Sequence, residues 1–205
     1  MAKLNSIKKL TDNKFLNLYE ADFTNEKTGK DFKYFIASRR SEEELACKTK
    51  DHTKCDAVMI VPVDDKGGIY LIKQFRPAIN DYIIECPAGL VDPNEKIEVA
   101  AARELFEETG LRTKVMTEVV PPCYNSAGMS DETVAIYMAN VEGEPNLNNK
   151  EENEDIEILH ITPNEFFDVQ NGKYGPVAIK THIILSLLSS IGLADTLMKE
   201  ILERQ

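Results

Sequence analysis

Apolar positions along the chain fall mostly into short runs of strand length, interrupted by two stretches with helical spacing. Residues 14–23 and 31–38 alternate partially, and the polar Asn25-Glu26-Lys27-Thr28-Gly29-Lys30 between them predicts a β-hairpin. A charged segment at 41–54 reads as a short helix followed by a loop. The apolar run 57–63, the turn Asp64-Asp65-Lys66-Gly67-Gly68 and the run 69–75 predict a second hairpin. Residues 82–86 form another short strand, after which Pro87-Ala88-Gly89 opens a loop. A helix follows over 94–109, with Asn94 as N-cap, Glu95 in the first turn and Gly110 just past the end.

Strands at 113–120 and 132–141 flank a further loop, and residues 142–154 are polar and rich in asparagine and acid. A strand at 156–161, a short helix from Pro163 and a helix over 176–202, interrupted near Gly192, complete the chain. Strands and helices alternate in mixed order, which predicts an α/β or α+β class.

Composition narrows the picture. Hydrophobic residues make up 42% and charged residues 29% of 205 residues, as in a water-soluble globular protein with a sizeable core. The first residues, Met1 to Ser6, lack the apolar stretch of a signal peptide, and no apolar run is long enough to span a bilayer. The expectation is a cytoplasmic protein with no membrane partner. Thirty-five acidic against 24 basic residues give a net charge of −11, which argues against a nucleic-acid partner. An acidic protein that takes a phosphorylated substrate needs divalent cations between its carboxylates and the phosphates. The cysteines at 47, 55, 86 and 123 show no paired spacing for structural zinc and read as reduced thiols.

The helical stretch that matters chemically is 94–109. At about 100° per residue, Glu104, Glu107 and Glu108 share one face, while Val99, Ala102, Leu105 and Phe106 share another that would pack on a sheet. Three crowded carboxylates repel one another, and a hard divalent cation with oxygen ligands, Mg2+ or Mn2+, removes the conflict. An acidic cluster alone is ordinarily a solvated helix face. Its setting says otherwise. Gly89, five residues, Glu95, seven residues, Arg103-Glu104, Leu105, one residue, Glu107-Glu108, one residue, Gly110 and Leu111 reproduce a fixed pattern. That pattern resembles the signature of the Nudix hydrolases at every defined position.

The resemblance implies an α/β/α Nudix sandwich with a mixed sheet at residues 50–205, preceded by a small β segment at 1–49. It implies that Glu104 and Glu108 bind metal, with Glu107 contributing, that Arg103 orients these carboxylates, and that Glu95 braces the loop and helix. The carbonyl of Ala88, just before the signature glycine, is implied as a further metal ligand.

Outside the signature, Gln74-Phe75-Arg76-Pro77 and Glu85-Cys86-Pro87-Ala88-Gly89 resemble the ADP-ribose pyrophosphatase branch. The match implies that Arg76 contacts a phosphate and that Glu85 lies beside the metal cluster. Glu151-Glu152-Asn153-Glu154-Asp155 resembles the branch's catalytic loop, so Glu152 is the candidate general base and Glu154 the candidate extra metal ligand, with the register among these neighbours open. Ser126, Gly128, Ser130, Asp131 and Glu132 also fit the branch, and Ser130 and Glu132 are candidate substrate contacts. Ala127 stands where this branch usually carries a proline correlated with ADP-ribose use.

The chain lacks Trp, so Phe32, Tyr34, Phe35 and Tyr124 are the aromatic candidates for holding the nucleoside. In this branch the N-terminal strands cross to a second subunit, which implies a homodimer. The implied activity is metal-dependent cleavage of a nucleotide sugar, ADP-ribose to AMP and ribose 5-phosphate. GDP-mannose or another nucleotide sugar, or an inactive nucleotide-sensing module, stands as the alternative, and hydrolysis of damaged nucleoside triphosphates ranks below both.

Overall fold

A computed structural model describes residues 1–150 and 154–203, without the side chains of 192–203. Two compact units divide the chain: Met1–Ala57 with Val120–Ala135, and Val58–Val119 with Ile136–Gln205.

The first unit is built on an antiparallel sheet of β1 (Ala2–Lys9), β2 (Asn17–Asn25) and β3 (Asp31–Ser38), in that order. The hairpin expected from alternation is β2 and β3, registered as Tyr19↔Ile36, Ala21↔Tyr34 and Phe23↔Phe32. Alternate residues of β2 turn inward, so Tyr19 and Ala21 join Ile36 and Leu45 in one apolar cluster. The sequence pattern does not predict β1. It is largely exposed and polar, pairs only with β2 and carries an irregularity between Leu4 and Ser6, so it lacks the alternation of a half-buried strand. Short helical turns follow at Glu42–Glu44 and in α1 (Ala46–Thr49). Arg40, almost fully buried, is held by Asp56 through bonds of 3.0 and 2.6 Å, which compensates both charges.

The second unit carries most of the larger sheet. The strands of that sheet are β4 (Ala57–Val63), β5 (Ile69–Arg76), β6 (Asp81–Glu85), β7 (Ala88–Leu90), β8 (Arg112–Tyr124), β9 (Thr133–Glu142) and β10 (Ile156–Ile161). The end of β8 and the start of β9 belong to the first unit. The order is β10-β5-β4-β9-β8, with β6 paired to β5 and β7 to β4. β5 meets β4 at Val63↔Ile69 and β6 from Ile72↔Glu85 to Arg76↔Asp81. On its other side, β10 runs antiparallel from Ile156↔Gln74 to Ile161↔Ile69. β8 extends through Pro121 and Pro122; an end strand's outer edge needs no N–H, which accommodates one of the two, since adjacent N–H groups point to opposite edges. Helix α2 (Ile97–Thr109) packs on β7, while α3 (Phe166–Gln170) packs on α4 (Ile179–Glu203). The fold class is the mixed α/β one expected.

Four local expectations are corrected. Asn94 is not the N-cap: its φ is +66°, and α2 begins at Ile97 after the extended Lys96. Ala88–Leu90 is a short strand on β4 rather than loop, anchored by Ile60 N–H to the Pro87 carbonyl at 2.8 Å. The backbone of α4 passes Gly192 without a break. Val99 is 50% exposed, whereas the buried residues of α2 are Ala100, Ala101, Leu105, Glu108 and Thr109. The last difference matters most, because it turns part of the acidic face inward. Gly110 ends the helix in a left-handed conformation, φ +71°, with its N–H on the Phe106 carbonyl at 2.8 Å, as its sequence position predicts. Among the described residues, no helix is long and apolar enough to cross a membrane.

Candidate functional site

Two adjacent elements of the second unit, β7 and α2, present the signature residues. Glu108 is 1% exposed and accepts a hydrogen bond from the Ala88 N–H at 2.9 Å. Burial holds its carboxyl well above the usual carboxylate range, the Ala88 N–H opposes this, and the charges of Glu154 and Glu104 push it further up. Glu104 is also raised, first by burial; Arg103 opposes this, while Glu107 and Glu154 add to it. Such a cluster is costly for a protein to keep in isolation, because buried carboxylates need compensation.

Gly89 is a spatial requirement of the cluster. A Cβ placed there would come within 2.0 Å of the Glu104 carboxyl carbon, so a side chain at 89 would displace that carboxylate from the place Arg103 holds it.

Arg103 supplies the positive charge. Its Nε and Nη2 each donate to Glu95 at 2.9 Å, and Nη2 also reaches the Leu90 carbonyl at 3.0 Å. Its Nη1 bonds Glu104 at 2.7 Å and Glu107 at 3.0 Å. A planar fork of donors suits this arrangement, and a lysine could not reproduce it. Glu95 also accepts the Asp92 N–H at 3.0 Å, and its carboxyl lies below the ordinary range, chiefly because Arg103 donates to it. One guanidinium thus ties the signature loop to the carboxylates of the helix.

The structure also brings Arg76 and Glu85 together. Arg76 Nε donates to Glu85 at 2.6 Å, and Arg76 is among the charges acting on Glu108. Glu154 is half-buried, acts electrostatically on both Glu104 and Glu108, and its carbonyl accepts a bond from Lys150 Nζ at 2.5 Å. Glu152 lies outside the described residues. Among the described residues, no three His, Cys, Asp or Glu side chains are gathered as a ready-made metal cage. Glu104 and Glu107 are drawn to Arg103 and Glu108 to the Ala88 N–H.

The remaining candidates belong to the first unit. Phe32, Tyr34 and Ser130 line a cavity of about 400 Å3 together with Tyr124 and Ala127. Tyr34 OH donates to the Gly128 carbonyl at 2.5 Å, and Tyr124 OH lies 2.6 Å from His52 Nδ1. Glu132 is not among the residues lining this cavity; it accepts from Arg39 at 3.2 Å and Asn125 at 3.1 Å. Phe35 is exposed and does not line it either.

With the Gly89, Glu95, Arg103, Glu104 and Glu108 geometry in place, comparison with known proteins decides the family. The model of the NUDIX domain matches residues 53–178. The chain belongs to the Nudix family. This Nudix chain is 36% identical over 110 residues to a protein of Bacillus subtilis named ADP-ribose pyrophosphatase, covering 52% of the chain and 57% of that protein. It is 34% identical over 109 residues to the Mus musculus ADP-sugar pyrophosphatase, covering 51% and 50%. The matches therefore span about half the length of these relatives. A solved ADP compounds hydrolase shares the fold, with a TM-score of 0.71 over 95% of both chains at 18% identity.

Sequence reasoning misses one residue of interest. Gln74 reads in the sequence only as a neighbour of Arg76, yet it is 8% exposed and its Oε1 has no hydrogen-bond partner. A polar residue at an inward position of an otherwise apolar strand is the signal that could have found it.

Proposed function

We propose that this protein is a metal-dependent pyrophosphatase that cleaves the diphosphate of a nucleotide sugar, with ADP-ribose giving AMP and ribose 5-phosphate. The observation that carries the reading is Glu108, a carboxylate turned into the protein beside Glu104 with one backbone N–H as its hydrogen-bonding partner. These residues fit a hard divalent cation. Their donors are all oxygen, burial and mutual repulsion disfavour the charged forms of Glu104 and Glu108 in a way a cation would reverse, and Mg2+ sites commonly use few carboxylates plus substrate phosphates rather than a complete protein cage. Glu104, Glu108, Glu107, Glu154 and the Ala88 carbonyl are the groups that would hold it. When bound, Mg2+ or Mn2+ neutralises the diphosphate and acidifies a water.

The chain's own residues supply the rest. Arg103 aims Glu104 and Glu107 and keeps them from turning to solvent. Arg76, half-exposed and steadied by Glu85, offers its outer N–H groups to a phosphate oxygen. Glu152 takes the proton of the attacking water. In the first unit, Phe32, Tyr34 and Ser130 hold the nucleoside, and Glu132 orders the loop behind Ser130 through Arg39 and Asn125. Residues 1–49 serve as the substrate-side and dimerising segment and residues 50–205 as the hydrolase domain. The exposed apolar Phe15, Leu16 and Phe35 support a homodimer, because such residues cost less when a second copy covers them. The proposed setting is the cytoplasm.

A second reading concerns the sugar nucleotide. Ala127 lines the first unit's cavity, so the position that departs from the branch stands among the nucleoside candidates. GDP-mannose or another nucleotide sugar is therefore the alternative substrate. The test is product release from ADP-ribose, GDP-mannose, ADP-glucose and dGTP, with magnesium and with chelator. Magnesium-dependent cleavage led by ADP-ribose is the expected result. Preference for GDP-mannose would move the substrate, and no cleavage of any member would favour a nucleotide-sensing module.

A further inference from the structure

Gln74 lies two residues before the end of β5, with Ile83 of β6 directly opposite on one side and Ile156 of β10 on the other. Neither isoleucine can hydrogen-bond its side chain. Residues two apart on a strand share a face, and so do residues directly opposite across a ladder. Ile72, Gln74 and Arg76 therefore share one face of β5, and Glu85, opposite Ile72, shares it too.

Arg76 and Glu85 are separated along the strand direction by the four-residue step from 76 to 72, roughly 13 Å at the usual rise. A bond of 2.6 Å between them requires both side chains to lean along the strands and meet above the intervening row. That row is Gln74↔Ile83. The burial of Gln74, at 8% exposure, agrees with an ion pair lying over it. On these three strands, the polar neighbours of Gln74 along and across this face are Arg76, Glu85 and Asp81. The two carboxylates are acceptors, so Arg76 alone has N–H groups to give.

Gln74 Oε1 is nonetheless without a partner, while Arg76 gives its Nε N–H to Glu85 and keeps its outer N–H groups for other acceptors. A buried acceptor left unmet is costly, so a state of the protein that meets it is favoured by that amount. We propose that Gln74 is a positioning residue for Arg76: its buried Oε1 takes one guanidinium N–H when the fork turns towards a diphosphate, and so fixes the remaining donors on the phosphate oxygens. The inference rests on the reading of Arg76 as the diphosphate-binding arginine. It assigns Gln74 no contact with substrate.

The test is calorimetric titration of the full chain with inorganic pyrophosphate in magnesium, for wild type, Gln74→Met, Arg76→Ala and the double variant, with the Tm of each. Arg76→Ala should weaken binding by more than tenfold. Gln74→Met should weaken it by about tenfold, the usual worth of one hydrogen bond to a charged group. Its Tm should hold or rise, because an apolar chain of similar volume replaces an unmet amide. In the double variant the Gln74 effect should vanish, since there is no guanidinium left to position. Gln74→Leu is a second apolar variant expected to behave alike. Wild-type binding by Arg76→Ala would overturn the reading of Arg76. A weak Arg76→Ala would leave that reading standing, and the Gln74 inference would then fall on any of three results: wild-type binding by both Gln74 variants, an equal loss in both backgrounds, or weakened binding only alongside a falling Tm.

Discussion

Removing the Arg103 guanidinium is the perturbation that most directly probes how the acidic cluster is held. Arg103→Ala deletes bonds to Glu95, Glu104, Glu107 and the Leu90 carbonyl at once. Simple addition of bond energies would overcount, because Arg103 retains 28% exposure and Glu107 retains 35%. The dominant loss is at Glu104, a largely buried carboxylate left without its cation. Breaking a buried pair in this way costs about 3–5 kcal/mol. Partial exposure of Arg103 reduces this to roughly 2–4 kcal/mol, since water screens part of the interaction.

For a chain of this length that corresponds to a fall in Tm of roughly 5–15 °C. The assay is urea unfolding and a thermal melt in chelator, repeated with magnesium, with Arg103→Lys as a control that keeps the charge without the fork. Magnesium should recover part of the loss in Arg103→Ala, because a cation replaces the missing positive charge. A variant within about 0.5 kcal/mol of wild type in chelator, the range of an ordinary surface substitution, would refute the view that Arg103 compensates a buried carboxylate.

Three further outcomes are expected, two from the same geometry and one from the proposed role of Glu152. Glu108→Gln should abolish turnover while the protein stays folded; its stability should also respond differently to pH. The raised Glu108 carboxyl keeps a proton in the folded state that the unfolded chain releases near pH 4.3, so its contribution is present in acid and is lost as pH rises towards the folded value. In chelator the Tm advantage of Glu108→Gln over wild type should therefore grow with pH above that point, and parallel curves would contradict the assignment. Glu152→Gln should lower kcat by roughly 100-fold or more in steady-state assays, the scale of a lost general base; an unchanged kcat would move the base to another residue of the loop. Gly89→Ala should lose both Tm and activity, because its methyl would occupy the space of the Glu104 carboxylate, and wild-type values for both would show that the carboxylate can move aside freely.

Helical spacing by itself put Glu104, Glu107 and Glu108 on one face, because a helix converts residue spacing directly into position, whereas the part of Arg103 was legible only through the resemblance of the whole stretch from Gly89 to Leu111 to a known signature. The hairpins were legible for a similar reason. Alternation at β2 and the turn between β4 and β5 are local properties of the chain. Where the pattern was weak, it misled or stayed silent. β1 rests only Leu4 and Ile7 on the core, and the irregularity between Leu4 and Ser6 spoils their period, while the three residues of β7 are a strand only because β4 lies alongside them.

Tertiary structure decided which way α2 is turned. Hydrophobic periodicity chose Val99 for the interior, yet the packing leaves Val99 outside and takes Glu108 in, since periodicity counts apolar residues and cannot register a carboxylate buried among them. Only the ladder register placed Gln74 beneath Arg76 and Glu85, because which side chains meet across strands depends on residues far apart in the chain.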